Sequence, residues 1–267
     1  MAGKPYVGRG LWRPPPPHVA RAWDVAVGLL REERQIIVGV LSDSGPEQRL
    51  TLIPAEENIV VKIAVHASGD AAIERERANL AFLQATDWRR LGPRLFEDSR
   101  TRGMPRSVLL MDRVVGEHPQ WDDHLVHREL FRALSLSGGD DRAVSSRDAG
   151  VGLHHGDVTP WNVVQMTNGT LMVLDWEFAD FSMSTHPACG VLDFVLRGAI
   201  VARARPSRVR PVLLNAIRHS GIDASVGSDV LNLYRTYRLS VQEAVADRID
   251  SLAAQTDQLL GACLAGG

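Results

Sequence analysis

The chain has 267 residues, which is long enough for one large domain or two small lobes with a buried core. Its 30 basic and 32 acidic residues leave a formal net charge of -2, and this balance argues against a nucleic-acid partner held by bulk charge. There is no apolar run of about 18 residues and no apolar signal core at the start, so the sequence predicts no membrane contact and a cytoplasmic protein.

The first part of the sequence has the pattern of a short extension followed by a small sheet with one intervening helix. Residues 14–17 are four prolines, which favour a stiff extended lead-in, and residues 20–33 have apolar side chains at helical spacing. A turn-rich segment, SDSGPEQ at residues 42–48, separates the first two predicted strands. Strands are predicted over residues 34–41, 49–54, 58–65 and 105–115, and a helix over residues 71–85.

After this sheet the pattern becomes mainly helical, with one β-hairpin. Two short apolar arms, VVQM and LMVL, flank TNGT at residues 167–170, which is typical of a hairpin turn, and LMVLDWEF at residues 171–178 predicts one buried strand. The whole pattern predicts an α+β protein with an N-terminal extension at 1–34, a β-rich first lobe at 35–115 and a helical second lobe at 116–267. Helices of the second lobe are predicted over residues 121–136, 191–204, 208–221, 228–249 and 251–265.

The segment LHHGDVTPWNVVQ, residues 153–165, concentrates polar side chains immediately before the first arm of the hairpin. Asp157 and Asn162 lie five positions apart in this segment, and Asp175 follows the second arm. Pairing of the two arms would bring Asp175 back beside Asn162. Carboxylate and amide oxygens are the ligands that Mg²⁺ prefers, with phosphates and water completing its octahedron. Asp157 would then be left to accept a proton from an attacking hydroxyl.

Ordinary turn structure offers a simpler explanation of the same segment, because Asp, Asn, Gly and Pro are common in turns. For Asp157 or Asn162 alone, that explanation would be preferred. The full order is H-G-D, four residues, N, an apolar arm, a turn and then apolar-D-W-E, and turns alone rarely produce it. We therefore expect a functional site at this end of the hairpin.

The same residues resemble a known family. His155-Gly156-Asp157 with Asn162, followed by Asp175 in LDWE, is similar to the motifs of the aminoglycoside phosphotransferase and choline kinase-like family. The resemblance implies a two-lobed protein-kinase-like fold, with a small β-rich N-lobe and a larger, mainly helical C-lobe. It implies Asp157 as the catalytic carboxylate that faces the acceptor hydroxyl, with Asn162 and Asp175 as Mg²⁺ ligands. Supporting roles at the loop or the metal are implied for His155, Glu177 and Asp193.

A kinase-like layout also requires a strand lysine on the nucleotide phosphates, held by a glutamate on the next helix. Lysines in strands are more often solvated side chains at a sheet edge, but the apolar flanks of Lys62 in VVKIAV favour a buried ion pair. The next helix offers Glu76 as the preferred partner and Glu74 as the alternative. By the same resemblance, the strand SVLLMDRVVG would meet the adenine base through backbone groups of Met111, Asp112 and Val114.

The sequence departs from protein kinases at several points. Residues 42–48 contain one glycine and no G-x-G-x-x-G, Gly156 stands where protein kinases have arginine, and no A-P-E follows Asp175. These departures favour a small-molecule kinase. The predicted function is therefore an ATP- and Mg²⁺-dependent O-phosphotransferase acting on a small-molecule hydroxyl acceptor, with no nucleic acid, membrane or partner protein.

Two questions stay open at the level of sequence. The acceptor could be an aminoglycoside, an amino alcohol, a sugar or a nucleoside. A cationic acceptor would favour an acidic pocket, for which the candidates are Asp122, Asp123, Asp140 and Asp141. The alternative function is a catalytically silent, pseudokinase-like nucleotide-binding regulatory module, which a missing catalytic residue would favour.

Overall fold

The computed structural model describes residues 22, 25, 36–41, 48–54, 58–96, 106–135, 152–181, 186–220, 229, 232–238 and 251–265. The four prolines, most of the predicted helix at 20–33, the loop at 42–47, and Asp140 and Asp141 lie outside the described residues. Within the described ranges, no helix is long and apolar enough to cross a membrane. The chain divides into two compact units, of which the first comprises Met1–Ala85 with Pro93–Val114 and the second comprises Thr86–Gly92 with Val115–Gly267.

The first unit is built on a four-stranded antiparallel sheet in which each strand pairs with the next along the chain. The last strand is shorter than the predicted stretch 105–115, since it begins at Val108 and its ladder with the preceding strand ends where Asp112 faces Ile59. The strands are β1 (Ile36–Leu41), β2 (Arg49–Pro54), β3 (Ile59–Ala64) and β4 (Val108–Asp112).

Alternation along the strands sends one face of this sheet into an apolar core, because successive side chains in a strand point to opposite faces. Leu50 and Leu52 on β2 pack there with Val61 and Ile63 on β3. Lys62 lies between the latter two and therefore points to the opposite face. Its register partner on β2 is Thr51.

Helix α1 (Asp70–Gln84) packs against β3 and β4. Its buried positions Ile73, Glu76, Leu80 and Leu83 recur every three or four residues, which is the spacing of one helical face. Glu76 is the polar member of this face and is fully buried. A buried carboxylate is strongly destabilising unless it is paired, so this position requires a cationic partner from the sheet.

The second unit is mainly helical and is organised around one almost completely buried helix. The helices are α2 (His124–Leu134), α3 (Pro187–Val201), α4 (Pro206–His219) and α5 (Ser251–Ala265), and residues 232–238 are also helical. The buried helix is α3, which packs against α2, α4 and α5, and an apolar helix buried on nearly all sides is typical of a domain core.

The predicted hairpin is confirmed. Strands β5 (Val163–Gln165) and β6 (Leu171–Val173) pair antiparallel, with Val163 opposite Val173. The prediction of a single strand through residue 178 is wrong, because Asp175 takes a left-handed backbone conformation and a 3₁₀ turn follows at Trp176–Phe178. Trp176 is fully buried in that turn. The apolar residues therefore mark a buried segment, but that segment is not an extended strand.

Candidate active site

Asp157 lies at the centre of a hydrogen-bonded loop in the second unit. The Asn162 amide Nδ2 donates to the backbone oxygen of Asp157 at 3.0 Å and to its Oδ2 at 2.8 Å. Arg197 Nη1 donates to the other carboxylate oxygen, Oδ1, at 2.5 Å. The Asp157 side chain keeps 17% of its surface exposed, so it is oriented by two partners and still accessible.

The electrostatic environment of Asp157 is set by opposing effects. Burial raises the pKa of this carboxyl group to about 6, and the nearby negative charges of Asp193 and Asp175 add to that increase. The positive charge of Arg197 opposes it. At neutral pH the carboxylate form therefore predominates, as acceptance of a hydroxyl proton requires.

The hairpin brings Asp175 beside Asn162, as the sequence predicts. The backbone N–H of Leu174 donates to the Asn162 backbone oxygen at 2.6 Å, immediately before Asp175. The φ of Asp175 is 64° and its ψ is 61°, a left-handed conformation that is uncommon away from glycine and that often marks a functional position. Because the Nδ2 of Asn162 faces Asp157, its Oδ1 is the side-chain atom able to ligate a cation.

His155 connects the loop to the hairpin. Its Nε2 donates to the backbone oxygen of Leu174 at 3.0 Å, and its Nδ1 accepts from the backbone N–H of Asp157 at 3.2 Å. These two bonds require the neutral imidazole with the proton on Nε2. The ring of Trp176 meets the imidazole edge-on, with 4.4 Å between ring centroids. These contacts link the loop to the hairpin, and the supporting role that the resemblance implies for His155 stays a prediction.

Gly156 has a φ of +84°, and an added Cβ would lie 2.6 Å from the backbone oxygen of Phe178. We predict that Gly156→Ala lowers the free energy of unfolding by more than about 2 kcal/mol, because left-handed strain and a collision act together. Gly169 is the matched control, since its φ is +80° but no atom lies within 4 Å of an added Cβ. Gly169→Ala should cost about 1 kcal/mol from backbone strain alone. Equal losses for the two variants in urea denaturation would contradict the proposed collision.

Asp193 occupies a fully buried position on α3 and has three partners that our sequence analysis did not name. Its Oδ1 accepts from Tyr234 Oη at 2.8 Å and from Arg238 Nη1 at 3.4 Å. Arg197 Nε lies 3.5 Å from the same oxygen. The available sequence signal was spacing, because Asp193 and Arg197, like Tyr234 and Arg238, are four positions apart and share a helical face. Asp193 therefore reaches the loop through Arg197.

Glu177 is buried in the 3₁₀ turn that follows Asp175. Its implied role near a metal ion stays a prediction.

In the first unit, the expected ion pair of Lys62 is present and uses Glu76. Lys62 Nζ lies 2.6 Å from Oε1 and 2.8 Å from Oε2 of Glu76, whose side chain has no exposed surface. The alternative partner, Glu74, instead pairs with Arg106 in an exposed position, at 3.2 Å. Arg49 is a second cation that sequence reasoning missed, and its Nη1 lies 3.9 Å from Glu76 Oε2.

The three residues predicted to meet the adenine base lie at the end of β4 or just beyond it. Met111 is buried and pairs with Val60. The backbone N–H of Asp112 donates to the Arg94 oxygen at 2.7 Å, and its carboxylate accepts from Arg94 Nε at 3.0 Å. A base contact through the Asp112 amide would therefore have to replace an existing bond. Val114 is half-buried at the end of the first unit, and its contact with a base stays a prediction.

Comparison with known proteins gives matches at the level of structure. No family model matches the chain, and no curated protein matches it. Aminoglycoside phosphotransferase APH(3'')-Id from Streptomyces rimosus superposes with a TM-score of 0.53 at 13% identity, over 84% of this chain and 97% of that one. The ADP-bound aminoglycoside phosphotransferase APH(2'')-Ib superposes with a TM-score of 0.50 at 12% identity, over 91% and 97% of the two chains.

A third match is the ternary complex of APH(2'')-IIa with streptomycin and ATP. Its TM-score is 0.50 at 11% identity, over 92% of this chain and 97% of that one. The chain has the fold of the aminoglycoside phosphotransferases. These matches confirm the predicted α+β, protein-kinase-like fold class, with a β-rich first unit and a mainly helical second unit.

Proposed function

We propose that this chain is an ATP- and Mg²⁺-dependent phosphotransferase that transfers the γ-phosphoryl group of ATP to a hydroxyl of a small molecule. The observation that carries the proposal is the loop in which Asn162 orients Asp157 while the hairpin holds Asp175 beside Asn162. A fold can host many functions, so the argument rests on this site. Structures of the same fold with ADP, or with streptomycin and ATP, support a nucleotide and a small-molecule acceptor.

In the proposed reaction, the acceptor oxygen forms a bond to the γ-phosphorus. The bond between that phosphorus and the bridging oxygen breaks, and ADP leaves with the electron pair. Asp157 accepts a hydrogen bond from the acceptor hydroxyl and receives its proton as the new bond forms. Because Asn162 and Arg197 hold the two carboxylate oxygens, Asp157 is already oriented before the acceptor arrives.

The donor set at the hairpin fits Mg²⁺, since Asn162 Oδ1 and the Asp175 carboxylate are oxygen ligands on adjacent segments. Within the described ranges, no group of three or more His, Cys, Asp or Glu side chains could hold a metal ion. In phosphotransferases, Mg²⁺ takes one or two protein carboxylates together with phosphate oxygens and water. When bound, it would neutralise charge on the phosphates.

Lys62 is proposed to contact the α- and β-phosphates of ATP. Glu76 accepts from the Lys62 ammonium group through both carboxylate oxygens and so fixes its direction. A charged donor held in one orientation binds phosphate without further loss of side-chain entropy. Met111, Asp112 and Val114 are proposed to meet the base through backbone atoms.

The test is release of ADP from Mg-ATP by the purified protein, in the presence and absence of a pool of hydroxylated metabolites and aminoglycosides. We expect turnover that depends on the pool, and division of the pool would then identify the acceptor. Binding of Mg-ATP without turnover for any acceptor class would favour the regulatory alternative. Failure to bind Mg-ATP in calorimetry would refute the proposed function.

Asp175→Asn should raise the Mg²⁺ concentration needed for half-maximal turnover by about tenfold or more, because ligand charge is a main determinant of cation affinity. The substitution keeps the size of the side chain and one oxygen donor. Asp257→Asn is the control, since Asp257 is an exposed carboxylate that pairs with Arg235 at 3.7 Å. An unchanged Mg²⁺ requirement in Asp175→Asn would exclude this carboxylate as a ligand.

A further inference from the structure

Arg197 joins the core of the second unit to the proposed catalytic carboxylate. It lies on α3, and its Nη1 is 2.5 Å from Asp157 Oδ1. The Arg197 side chain is 9% exposed. Charge-assisted hydrogen bonds between a guanidinium group and a carboxylate are strong and directional, and burial strengthens them further. The direction of the Asp157 carboxylate is therefore tied to the position of α3.

Arg197 also forms an ion pair with a second carboxylate. Arg197 Nε lies 3.5 Å from Oδ1 of Asp193, which is one helical turn earlier on α3. Tyr234 and Arg238 contact the same oxygen from the helical segment at residues 232–238. The guanidinium group thus contacts two carboxylates through different nitrogen atoms. Because it is planar, it sets the spacing between Asp193 and Asp157, which a lysine with one nitrogen would not reproduce.

The location of this ion pair argues against a purely stabilising role. The sequence of α3, PACGVLDFVLRGAIV, contains Asp193 and Arg197 as its two charged residues, and nearly all of its positions are buried. Removing charges from water is costly, and buried ion pairs often stabilise a protein no more than apolar residues of similar volume would. The arrangement is better explained by the orientation that it gives to Asp157.

We propose that Arg197 is a positioning residue for phosphoryl transfer, which holds Asp157 Oδ1 while Asn162 holds Oδ2. This inference rests on the proposed function. With Arg197 present, one carboxylate rotamer faces the acceptor. Without it, the carboxylate can rotate about its side-chain bonds, and displacements of about 1 Å from a reactive geometry can cost about a hundredfold in rate. Since Asp157, the residue that Arg197 orients, is not proposed to contact the phosphates, the loss should appear in kcat.

The experiment compares Arg197→Ala, Arg197→Lys and wild type in steady-state kinetics with the acceptor found in the pool assay. We expect kcat to fall about a hundredfold in Arg197→Ala, while the KM for ATP stays within about threefold. Adding about 50 mM guanidinium, far below denaturing concentrations, should raise the kcat of Arg197→Ala at least about tenfold. Equimolar urea, which is similar in shape but neutral, should not. Arg197→Lys should be intermediate.

Arg208→Ala is the matched control. Arg208 belongs to the same unit and pairs with Asp122 at 2.7 Å in an exposed position, so its loss should leave kcat unchanged and insensitive to guanidinium. Thermal unfolding and near-UV circular dichroism establish that each variant is folded. If Arg197→Ala does not fold, Arg197→Lys with an unchanged kcat overturns the inference, and a reduced kcat at unchanged KM supports it.

Other outcomes separate the inference from the function on which it rests. A folded Arg197→Ala variant with wild-type kcat overturns the positioning role but leaves the phosphotransferase intact. A reduced kcat that guanidinium does not restore assigns Arg197 to general stability and also overturns the inference. A wild-type protein that binds no Mg-ATP overturns the proposed function itself, and the positioning role falls with it.

Discussion

Replacing Asp157 with asparagine should lower kcat by about a thousandfold, within the range for loss of a proton-accepting group. Asparagine has nearly the same shape, but it cannot accept the hydroxyl proton, and an NH2 donor replaces one of the two carboxylate oxygens. Mg-ATP affinity should stay within about threefold of wild type, because Asp157 is not proposed to contact the phosphates. Coupled detection of ADP gives kcat, and calorimetry gives the affinity for Mg-ATP.

Asp257→Asn is the control for this prediction. Asp257 is an exposed carboxylate of the same unit whose partner is Arg235, so its neutralisation should change kcat by less than about twofold. Two results would contradict the role of Asp157. One is residual kcat above about a tenth of wild type in a folded variant. The other is an equal loss of Mg-ATP binding and turnover, which would place Asp157 among the nucleotide ligands.

The loop and hairpin were predictable because short-range pairing determines them. TNGT predicts the turn, and Gly169 has the left-handed φ of +80° that such a turn uses. Once the arms pair, the ends of the hairpin must meet, so Asn162 and Asp175 become neighbours whatever the rest of the chain does. The conformation of Asp175 was not predictable, because the apolar run LMVLDWEF fits a buried strand and a buried turn equally well.

The choice of Glu76 over Glu74 also has a physical basis. Ile73, Leu80 and Leu83 define the buried face of α1, and Glu76 is spaced to fall on that face, whereas Glu74 is not. A carboxylate at a buried position needs a cation, and Lys62 is the charged residue of an otherwise apolar strand. Both halves of the ion pair are therefore visible in sequence as charges at core positions.

Tertiary contacts between distant segments were not predictable in the same way. Arg197 and Asp157 are 40 positions apart, and nothing in a buried apolar helix indicates which loop its arginine will meet. Arg49 approaches Glu76 because β2 and β3 pair in one particular register. The spacing of four residues indicated that Asp193 and Arg197 share a helical face. It did not indicate which residue outside the helix Arg197 would contact.

Replacing Lys62 with methionine should have the second large effect, lowering kcat/KM for ATP by about a hundredfold or more through loss of a buried, charge-assisted phosphate contact. The same variant should be destabilised by about 3 kcal/mol, because Glu76 is left as a buried charge beside the more distant Arg49. Urea denaturation measures the stability, and assays well below the unfolding temperature measure the activity.

A second substitution separates these two effects. Lys62→Met/Glu76→Gln removes both charges, so most of the lost stability should return while turnover stays low. Glu76→Gln and Glu74→Gln form a matched pair on one helix. The first removes the charge that orients Lys62, whereas the second affects an exposed pair with Arg106 and should change stability by less than about 0.5 kcal/mol. If activity recovers together with stability in the double variant, Lys62 does not bind the nucleotide.

Lysine content allows a direct measurement of where the nucleotide binds. The chain contains two lysines, Lys4 and Lys62, so an adenosine derivative with an amine-reactive sulfonyl fluoride has few possible targets of this type. We expect covalent labelling on the peptide that contains Lys62, protection by Mg-ATP, and loss of this label in Lys62→Met. Labelling of Lys4 alone, or labelling of Lys62 that Mg-ATP does not slow, would show that the nucleotide does not contact this strand.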